Sequence, residues 1–190
     1  MRIQNRAILS LGSNEGDRLK NIQLCINYIH NNIATVVQVS GLYETPSWGF
    51  KSNDFYNCAV MVHTCKKPEE LLQSLLKAEL DAGRVRKEGE GYQARLIDVD
   101  IIAFNNDVIE TQTLSVPHPR LQDRNFVLYP LRDICPEWQH PILKKNVATL
   151  INETTDDSKC SLVMQLENPI AKIDFSKYKY IAIEGNIGSG

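Results

Sequence analysis

Two aspartates in the stretch "ARLIDVDII" are the side chains of this sequence best placed to do chemistry. Asp98 and Asp100 lie two positions apart in a strongly strand-forming run, and alternate side chains of a strand share one face. Their backbone positions would be roughly 7 Å apart. Carboxylates at that spacing can flank hard cations such as Mg²⁺, which prefer oxygen ligands and often bridge substrate phosphates. Alternatively, both aspartates belong to the solvated outer face of a strand.

Positive charge lies close to this pair along the chain. The segment "GRVRK" supplies Arg84, Arg86 and Lys87, and Arg95 directly precedes the strand. Phosphoryl transfer depends mainly on positioning and on neutralising spread negative charge, so acidic metal ligands beside guanidinium groups suit that chemistry. Each arginine could instead complement the C-terminus of the preceding helix.

Two further polar residues differ from their surroundings. Glu79 borders an apolar helical stripe, so its carboxylate needs a partner, either an internal arginine or a donor group on a ligand. The stripe consists of Leu72, Leu75, Leu76 and Leu80. His118 lies between two prolines in "VPHPR", which hold the backbone rigidly, and Arg120 and Arg124 are nearby. A lone histidine is more often structural than catalytic.

Aromatic residues surround an amide earlier in the chain. The segments "ETPSWGF" and "DFYNCAV" place four aromatic rings near Asn57, namely Trp48, Phe50, Phe55 and Tyr56. A group of aromatic rings around a single amide suits the recognition of a flat heterocycle. The more common interpretation of such a group is a mixed cluster within the protein core.

The hydrophobic pattern predicts the elements that must position these residues. Strands are expected at 6–11, 35–39, 55–64 and 96–104, and helices after Asp17, from Pro68 to Gly83 and over 146–152. Because strands and helices mix without strict alternation, the pattern favours an α+β layer arrangement with a largely antiparallel sheet.

The composition narrows the class of protein. The chain has 190 residues, of which 43% are hydrophobic and 23% charged, as in globular domains of one core. The net charge of -2 without charge runs argues against nucleic acid as a partner, and the apolar runs are too short for a membrane span. The five cysteines form no CxxC pair, so we expect reduced thiols in a cytoplasmic protein.

Six motifs in order resemble the 6-hydroxymethyl-7,8-dihydropterin pyrophosphokinases of the folate pathway. They are "GSN", "YETPSWG", "DFYNCAV", "AELDAGRVRK", "ARLIDVDII" and "VPHPRLQDRNFVLYPL", between about residue 6 and about residue 140. Each motif alone is weak, whereas six in this order are highly specific. The resemblance implies a three-layer α/β sandwich, an α+β fold with a ferredoxin-like core. It also implies transfer of pyrophosphate from ATP to the hydroxymethyl group of the pterin, with release of AMP.

The resemblance further implies roles for individual residues. Asp98 and Asp100 would hold two Mg²⁺ ions between the ATP phosphates and the attacking hydroxyl, and Arg84 and Arg95 would balance charge on the transferring group. Contacts to ATP would come from Glu79, Ile101, Ser115, His118 and Arg124. The pterin pocket would be lined by Thr45, Pro46, Trp48, Phe55, Asn57 and Phe126.

This sequence departs from the family pattern in two places. Many relatives carry an Arg-Trp-Gly-Pro segment before the residue matching Arg95, where this chain has "GEGYQA". One cation and one indole are therefore missing, which leaves lid closure and the role of Arg86 open, and Tyr92 is a partial substitute. Phe55 stands where a tyrosine is frequent, which removes only a hydroxyl.

The last residues resemble a different family. The segment "YKYIAIEGNIGSG" is similar to the first strand and phosphate loop of deoxynucleoside kinases, in which a lysine and a hydroxyl residue come next. We therefore expect a pterin pyrophosphokinase domain at 1–160, a linker at 161–176 and the truncated start of a nucleoside kinase domain at 177–190, as in a fusion protein. Two alternatives stay open, a non-catalytic domain that binds pterin or ATP, and a longer parent with nucleoside kinase activity.

Overall fold

The computed structural model describes residues 4–47, 53–83 and 96–172. In these ranges the strands are β1 (Asn5–Ser13), β2 (Thr35–Val39), β3 (Gly41–Thr45), β4 (Phe55–Thr64), β5 (Asp98–Phe104), β6 (Ile109–Glu110), β7 (Ser115–Val116) and β8 (Ser161–Gln165). The helices are α1 (Arg18–Asn32), α2 (Pro68–Asp81), α3 (Asn125–Ile134) and α4 (Val147–Glu153). Two 3₁₀ turns cover Leu121–Asp123 and Pro169–Lys172.

The main sheet is antiparallel at every pair of described strands. Its order is β5–β1–β4–β3–β8, and β2 also pairs with β4. The ten-residue β4 is long enough to pair with β3 along its first half and with β2 along its second half. A β-α-β-β-α-β succession with β1 and β4 at the centre is the ferredoxin-like arrangement. The predicted α+β fold with a largely antiparallel sheet is therefore confirmed.

Two hydrophobic clusters lie on opposite faces of this sheet. One cluster joins alternate residues of β1, β4 and β5 to α1 and α2, through side chains such as Ile26 and Leu75. The other joins the intervening residues to α3 and α4, through Leu128 and Leu150 among others. The period-two alternation of apolar side chains on both faces therefore produces three layers, with the sheet between two pairs of helices.

The helices begin at residues that satisfy their first amide groups. The Asp17 carboxylate accepts the backbone N–H of Lys20 at 3.1 Å, and this fixes the start of α1 where the sequence predicts it. Helix α2 begins at Pro68, whose missing N–H costs nothing in the first turn. The Asn146 side chain accepts the N–H of Thr149 at 2.9 Å and starts α4.

Two strands differ from the sequence prediction. Strand β3 (Gly41–Thr45) lies outside the strands expected from the sequence, because antiparallel pairing with β4 decides the conformation of this five-residue segment. Residues 161–165, predicted as the start of a linker, instead form β8 at the edge of the sheet, paired with β3. The linker prediction is therefore wrong for this segment, while residues 173–190 lie outside the described ranges.

Two further properties concern the cysteines and the hydropathy of the helices. All five cysteines are free thiols. In the part of the chain that the structure describes, we find no helix that combines the length and the hydropathy of a membrane span.

Candidate active site

The register of the sheet gathers polar side chains on the face covered by α3. Gly12 of β1 pairs with Asp98 of β5 on one side and with Asn57 of β4 on the other, and Asn57 pairs with Tyr43 of β3. Residues at paired positions point to the same face of a sheet. The Tyr43 hydroxyl reaches the carboxylate of Asp133 on α3 at 2.9 Å, which identifies that face. A row of paired residues therefore crosses the sheet and consists of Asp98, Gly12, Asn57 and Tyr43. It joins the strand predicted to bind metal to the amide predicted to bind the pterin.

Asp98 and Asp100 are both half-buried and share this face, as the sequence predicts. Val99 between them is 3% exposed and packs into the opposite core. Among the described residues no group of three or more His, Cys, Asp or Glu side chains is arranged to enclose a metal ion. Two carboxylates on an open strand suit Mg²⁺, which keeps most of its coordination positions for water and substrate phosphates.

Glu79 is buried in the last turns of α2, with 2% of its surface exposed. Its carboxylate accepts the backbone N–H of Val99 at 2.7 Å, in the middle of the Asp98–Asp100 pair. The sequence predicts an arginine or a ligand as the partner of this carboxylate, and the structure adds a backbone amide. Glu79 therefore connects α2 to the strand that carries both aspartates, at the edge where β5 has no further strand neighbour among the described residues.

His118 is held next to this strand as a neutral imidazole. Its backbone N–H donates to the Ile102 carbonyl at 3.0 Å, and its Nδ1 atom accepts the backbone N–H of Arg120 at 3.2 Å. Burial and, to a smaller extent, the guanidinium groups of Arg124 and Arg120 lower the pKa of His118 against the opposing Asp98 carboxylate, and the net result is a pKa of about 4. Near neutral pH the Nε2 atom therefore carries the hydrogen and can donate it to an anion.

Arg124 and Phe126 flank the start of α3. Arg124 is 5% exposed, and its guanidinium lies 5.4 Å from the centre of the half-buried Phe126 ring. A buried cation and a ring at one helix N-terminus bring positive charge and an aromatic surface to the face that holds the aspartates. The contact of Arg124 with ATP and the place of Phe126 in the pterin pocket stay predictions.

Four of the predicted pterin-binding residues lie where β3 and β4 pair or directly after it, namely Thr45, Pro46, Phe55 and Asn57. The Asn57 amide donates to the Thr45 hydroxyl at 2.8 Å, and both residues are buried. Phe55 is half-buried and pairs with Thr45 across the two strands, while Pro46 follows in an exposed position. A buried amide next to one aromatic ring and a hydroxyl can recognise the polar edge of a flat ring system.

Some predicted site residues have a different position or lie outside the described ranges. The Ile101 side chain is 4% exposed and packs in the core on the far face, so only its backbone could contact a nucleotide. Ser115 is exposed on β7 and lines a recess with Pro117 and Leu143. The candidate residues outside the described ranges are Trp48, Phe50, Arg84, Arg86, Lys87, Tyr92 and Arg95.

Arg18 is a residue of this region that the sequence prediction missed. Its guanidinium donates to Glu44 at 3.0 Å and to the Asp54 carbonyl at 2.6 Å, and it stacks 3.8 Å from the centre of the Tyr56 ring. Arg18 thus connects α1 to the ends of β3 and β4 beside the predicted pterin pocket. A cation in the first turn of a helix opposes the helix dipole, which is the signal that could have identified it.

Comparison with known proteins gives the family. Residues 8–136 match the family model of 7,8-dihydro-6-hydroxymethylpterin-pyrophosphokinase (HPPK). A 2-amino-4-hydroxy-6-hydroxymethyldihydropteridine pyrophosphokinase of Aquifex aeolicus is 36% identical over 82% of this chain and 96% of its own length. The enzyme of the same name from Bacillus subtilis is 41% identical over 71% of this chain and 81% of its own.

Other relatives are longer than this chain. The folic acid synthesis protein fol1 of Pneumocystis carinii is 36% identical over 93% of the chain, which spans only 24% of that protein. Among solved structures, a Plasmodium falciparum HPPK-DHPS superposes with a TM-score of 0.65 at 16% identity, over 79% of this chain and 44% of that one. At this identity the structural similarity supports the fold alone.

Proposed function

Because the chain belongs to the 7,8-dihydro-6-hydroxymethylpterin-pyrophosphokinase family, we propose that it transfers the pyrophosphoryl group of ATP to 6-hydroxymethyl-7,8-dihydropterin and releases AMP. The observation that carries this proposal is the row of paired residues described above. It joins Asp98, a carboxylate able to bind metal, to Asn57, a buried amide able to bind a heterocycle, on one face of the sheet. The two groups of the reaction, phosphate and pterin, would therefore meet over β1.

Asp98 and Asp100 would hold Mg²⁺, and we propose two ions. When bound, Mg²⁺ polarises phosphoryl oxygens and neutralises the charge that develops on them. Glu79 would keep both carboxylates in place through its hydrogen bond to the Val99 backbone. Glu79 would also contact ATP.

The remaining contacts to ATP would come from neighbouring groups. His118 would donate its Nε2–H to a phosphate oxygen without changing charge, and Arg124 would supply a buried cation. Ile101 would contribute its backbone groups, on the strand at the end of the described sheet, and Ser115 its hydroxyl. Arg84 and Arg95 would balance charge on the transferring group.

The pterin would bind between aromatic rings with its polar edge on the amide. We propose Phe55 and Phe126 as the stacking rings, with Trp48 and Pro46 as further residues of the pocket lining. Asn57 would pair with the heterocycle edge, and Thr45 would orient the Asn57 amide through the hydrogen bond already present. The hydroxymethyl arm would then point along the row toward Asp98.

The test is the formation of AMP. Purified protein with ATP, Mg²⁺ and 6-hydroxymethyl-7,8-dihydropterin is expected to form AMP and pterin diphosphate in equal amounts, quantified by chromatography. Omission of the pterin should abolish AMP formation, and Asp98→Asn protein purified in parallel controls for contaminating kinases. Binding of both ligands without AMP formation would instead support the alternative of a non-catalytic binding domain.

We also propose that the catalytic domain extends beyond residue 160 to include β8, and that residues 177–190 begin a nucleoside kinase-like domain of a fusion protein. The support for the second point is the segment "YIAIEGNIGSG" alone, because the longer relatives named above are folate-synthesis proteins. Five free thiols support a cytoplasmic location.

A further inference from the structure

Gly12 occupies the centre of the row that joins the two halves of the site. It is the only position of β1 that pairs with Asp98 on one side and Asn57 on the other. Neighbouring strands lie about 4.8 Å apart, so these two partners are separated by about 10 Å. That span is comparable with the length of a bicyclic heterocycle carrying a one-carbon arm. Gly12 therefore forms the floor between the group that would bind the pterin edge and the group that would bind the metal.

The backbone conformation does not explain a glycine here. Gly12 lies inside a regular strand, without the left-handed φ that Gly16 and Gly83 adopt, and the register irregularity of β1 falls earlier, between Ile8 and Leu9. Glycine weakens a strand interior, and at a regular position it marks the close approach of another group. The reason for a glycine at position 12 therefore lies in the groups that occupy the space above this part of the strand.

The group that approaches Gly12 is the Asn57 amide. A Cβ atom built on Gly12 would lie 3.0 Å from Asn57 Oδ1 and 3.7 Å from Cδ1 of the Phe55 ring. The first distance is shorter than an ordinary van der Waals contact. The amide cannot simply rotate away, because its Nδ2 atom donates to the buried Thr45 hydroxyl at 2.8 Å. A methyl group at position 12 would therefore displace the amide oxygen by a few tenths of an ångström, whereas its distance to the Phe55 ring is that of an ordinary contact.

We propose that Gly12 is a positioning residue that determines pterin binding, because its bare α-carbon lets the Asn57 carbonyl take the place that receives the heterocycle. This inference rests on the proposed function and assigns Gly12 no contact with ATP. Substitution at Gly12 raises the KM and Kd for the pterin and leaves those for ATP unchanged. The effect passes through Asn57, which distinguishes it from a general loss of stability.

The first experiment compares Gly12→Ala with wild type and with a matched glycine variant. In Gly41→Ala the new methyl group would collide with the Leu162 side chain on β8, away from the pterin residues. We expect Gly12→Ala to weaken 6-hydroxymethylpterin binding by about tenfold, within the cost of overpacking a tight site. Gly41→Ala should lower the melting temperature and keep the pterin Kd. An equal pterin Kd for Gly12→Ala and wild type overturns the inference.

A double-mutant cycle tests whether Asn57 transmits the effect. In an Asn57→Ala background the methyl group at position 12 has no amide to displace, so adding Gly12→Ala should cause no further loss of pterin affinity. Fully additive losses would contradict the inference. If Gly12→Ala alone does not fold, the double variant should fold, since the collision is removed, and a double variant that stays unfolded also overturns it.

Two readouts separate this inference from the proposed function. The Asn57 side-chain amide resonances of the free protein should shift in Gly12→Ala and stay in place in Gly41→Ala, whatever the protein catalyses. Wild-type protein that binds no pterin would refute the proposed function. Wild-type protein that binds pterin beside a Gly12→Ala variant with unchanged affinity and unchanged amide resonances would refute only the role of Gly12.

Discussion

Asp98 and Asp100 are expected to act through their charge rather than their shape. Asparagine keeps the volume of the side chain and removes the negative charge, so Asp98→Asn and Asp100→Asn should each lower turnover by about a hundredfold or more at saturating Mg²⁺. The melting temperature should change little, because both side chains are only half-buried. Steady-state AMP formation checks this prediction. Asp107→Asn, in an exposed turn, is the matched control and should keep full activity.

The neutral state of His118 gives the protein a specific pH dependence. Because burial and the nearby guanidinium groups lower its pKa to about 4 in the folded protein from 6.5, the unfolded chain binds the proton more readily. The free energy of unfolding should therefore fall as the pH is lowered from about 6.5 toward 4. Denaturant titrations of wild type and His118→Gln at several pH values check this, and the variant should show a shallower decline. Parallel pH profiles for the two proteins would show that His118 does not titrate as described.

For single residues, the sequence predicts which side chains belong to the site better than it predicts the groups that they contact. The pair Asp98 and Asp100 follows from strand alternation, and the structure places both on one face. The partners of Glu79 and the position of Gly12 could not be predicted, because both depend on strand register and on contacts between residues distant in the chain. Such contacts leave no local pattern in one sequence.

At the scale of elements, Arg18 joins one helix to two strands through an ion pair, a backbone hydrogen bond and a ring contact. Lysine keeps the charge and loses the planar group that makes these contacts together. Arg18→Lys should therefore raise the KM for the pterin about fivefold, as expected for the loss of about 1 kcal/mol, and leave the KM for ATP unchanged.

The control for Arg18 is another ion pair of the chain. Lys145 and Glu153 lie close together on the exposed surface near α4, far from β3 in sequence. Lys145→Ala should leave both KM values unchanged. Equal increases in the KM for pterin and ATP in Arg18→Lys would indicate a general disturbance of the fold instead of a local effect on the ends of β3 and β4.

Long periodic elements were predictable, and short paired ones were not. The strand at 55–64 and the start of α1 agree with the structure, since both carry strong local signals. Strands β3 and β8 have five residues each and owe their conformation to pairing with a neighbour. Tertiary contacts therefore decide the segments that local preference leaves ambiguous.

At the scale of the whole molecule, two truncations test the boundary of the domain. Removal of 177–190 should leave AMP formation intact, because every residue assigned to the site precedes this segment, and should improve solubility. Removal of 161–190 also deletes β8 and exposes the edge of β3, so the melting temperature should fall. Thermal unfolding and activity assays of both variants check the prediction. Loss of activity on removal of 177–190 alone would place this segment within the catalytic domain.

The position of β8 has a consequence for anything attached to this protein. β8 pairs with β3, and β3 carries Thr45, which holds the Asn57 amide. The end of β8 nearest Thr45 is Ser161, whereas its other end leads to the Pro169–Lys172 turn, which lies against α1 and β2. A tag, a fluorophore or a second domain joined after residue 172 therefore starts at the end of the sheet away from the pterin residues. Such an attachment should leave pterin binding undisturbed, so this side of the sheet suits an affinity handle or a surface anchor for binding measurements.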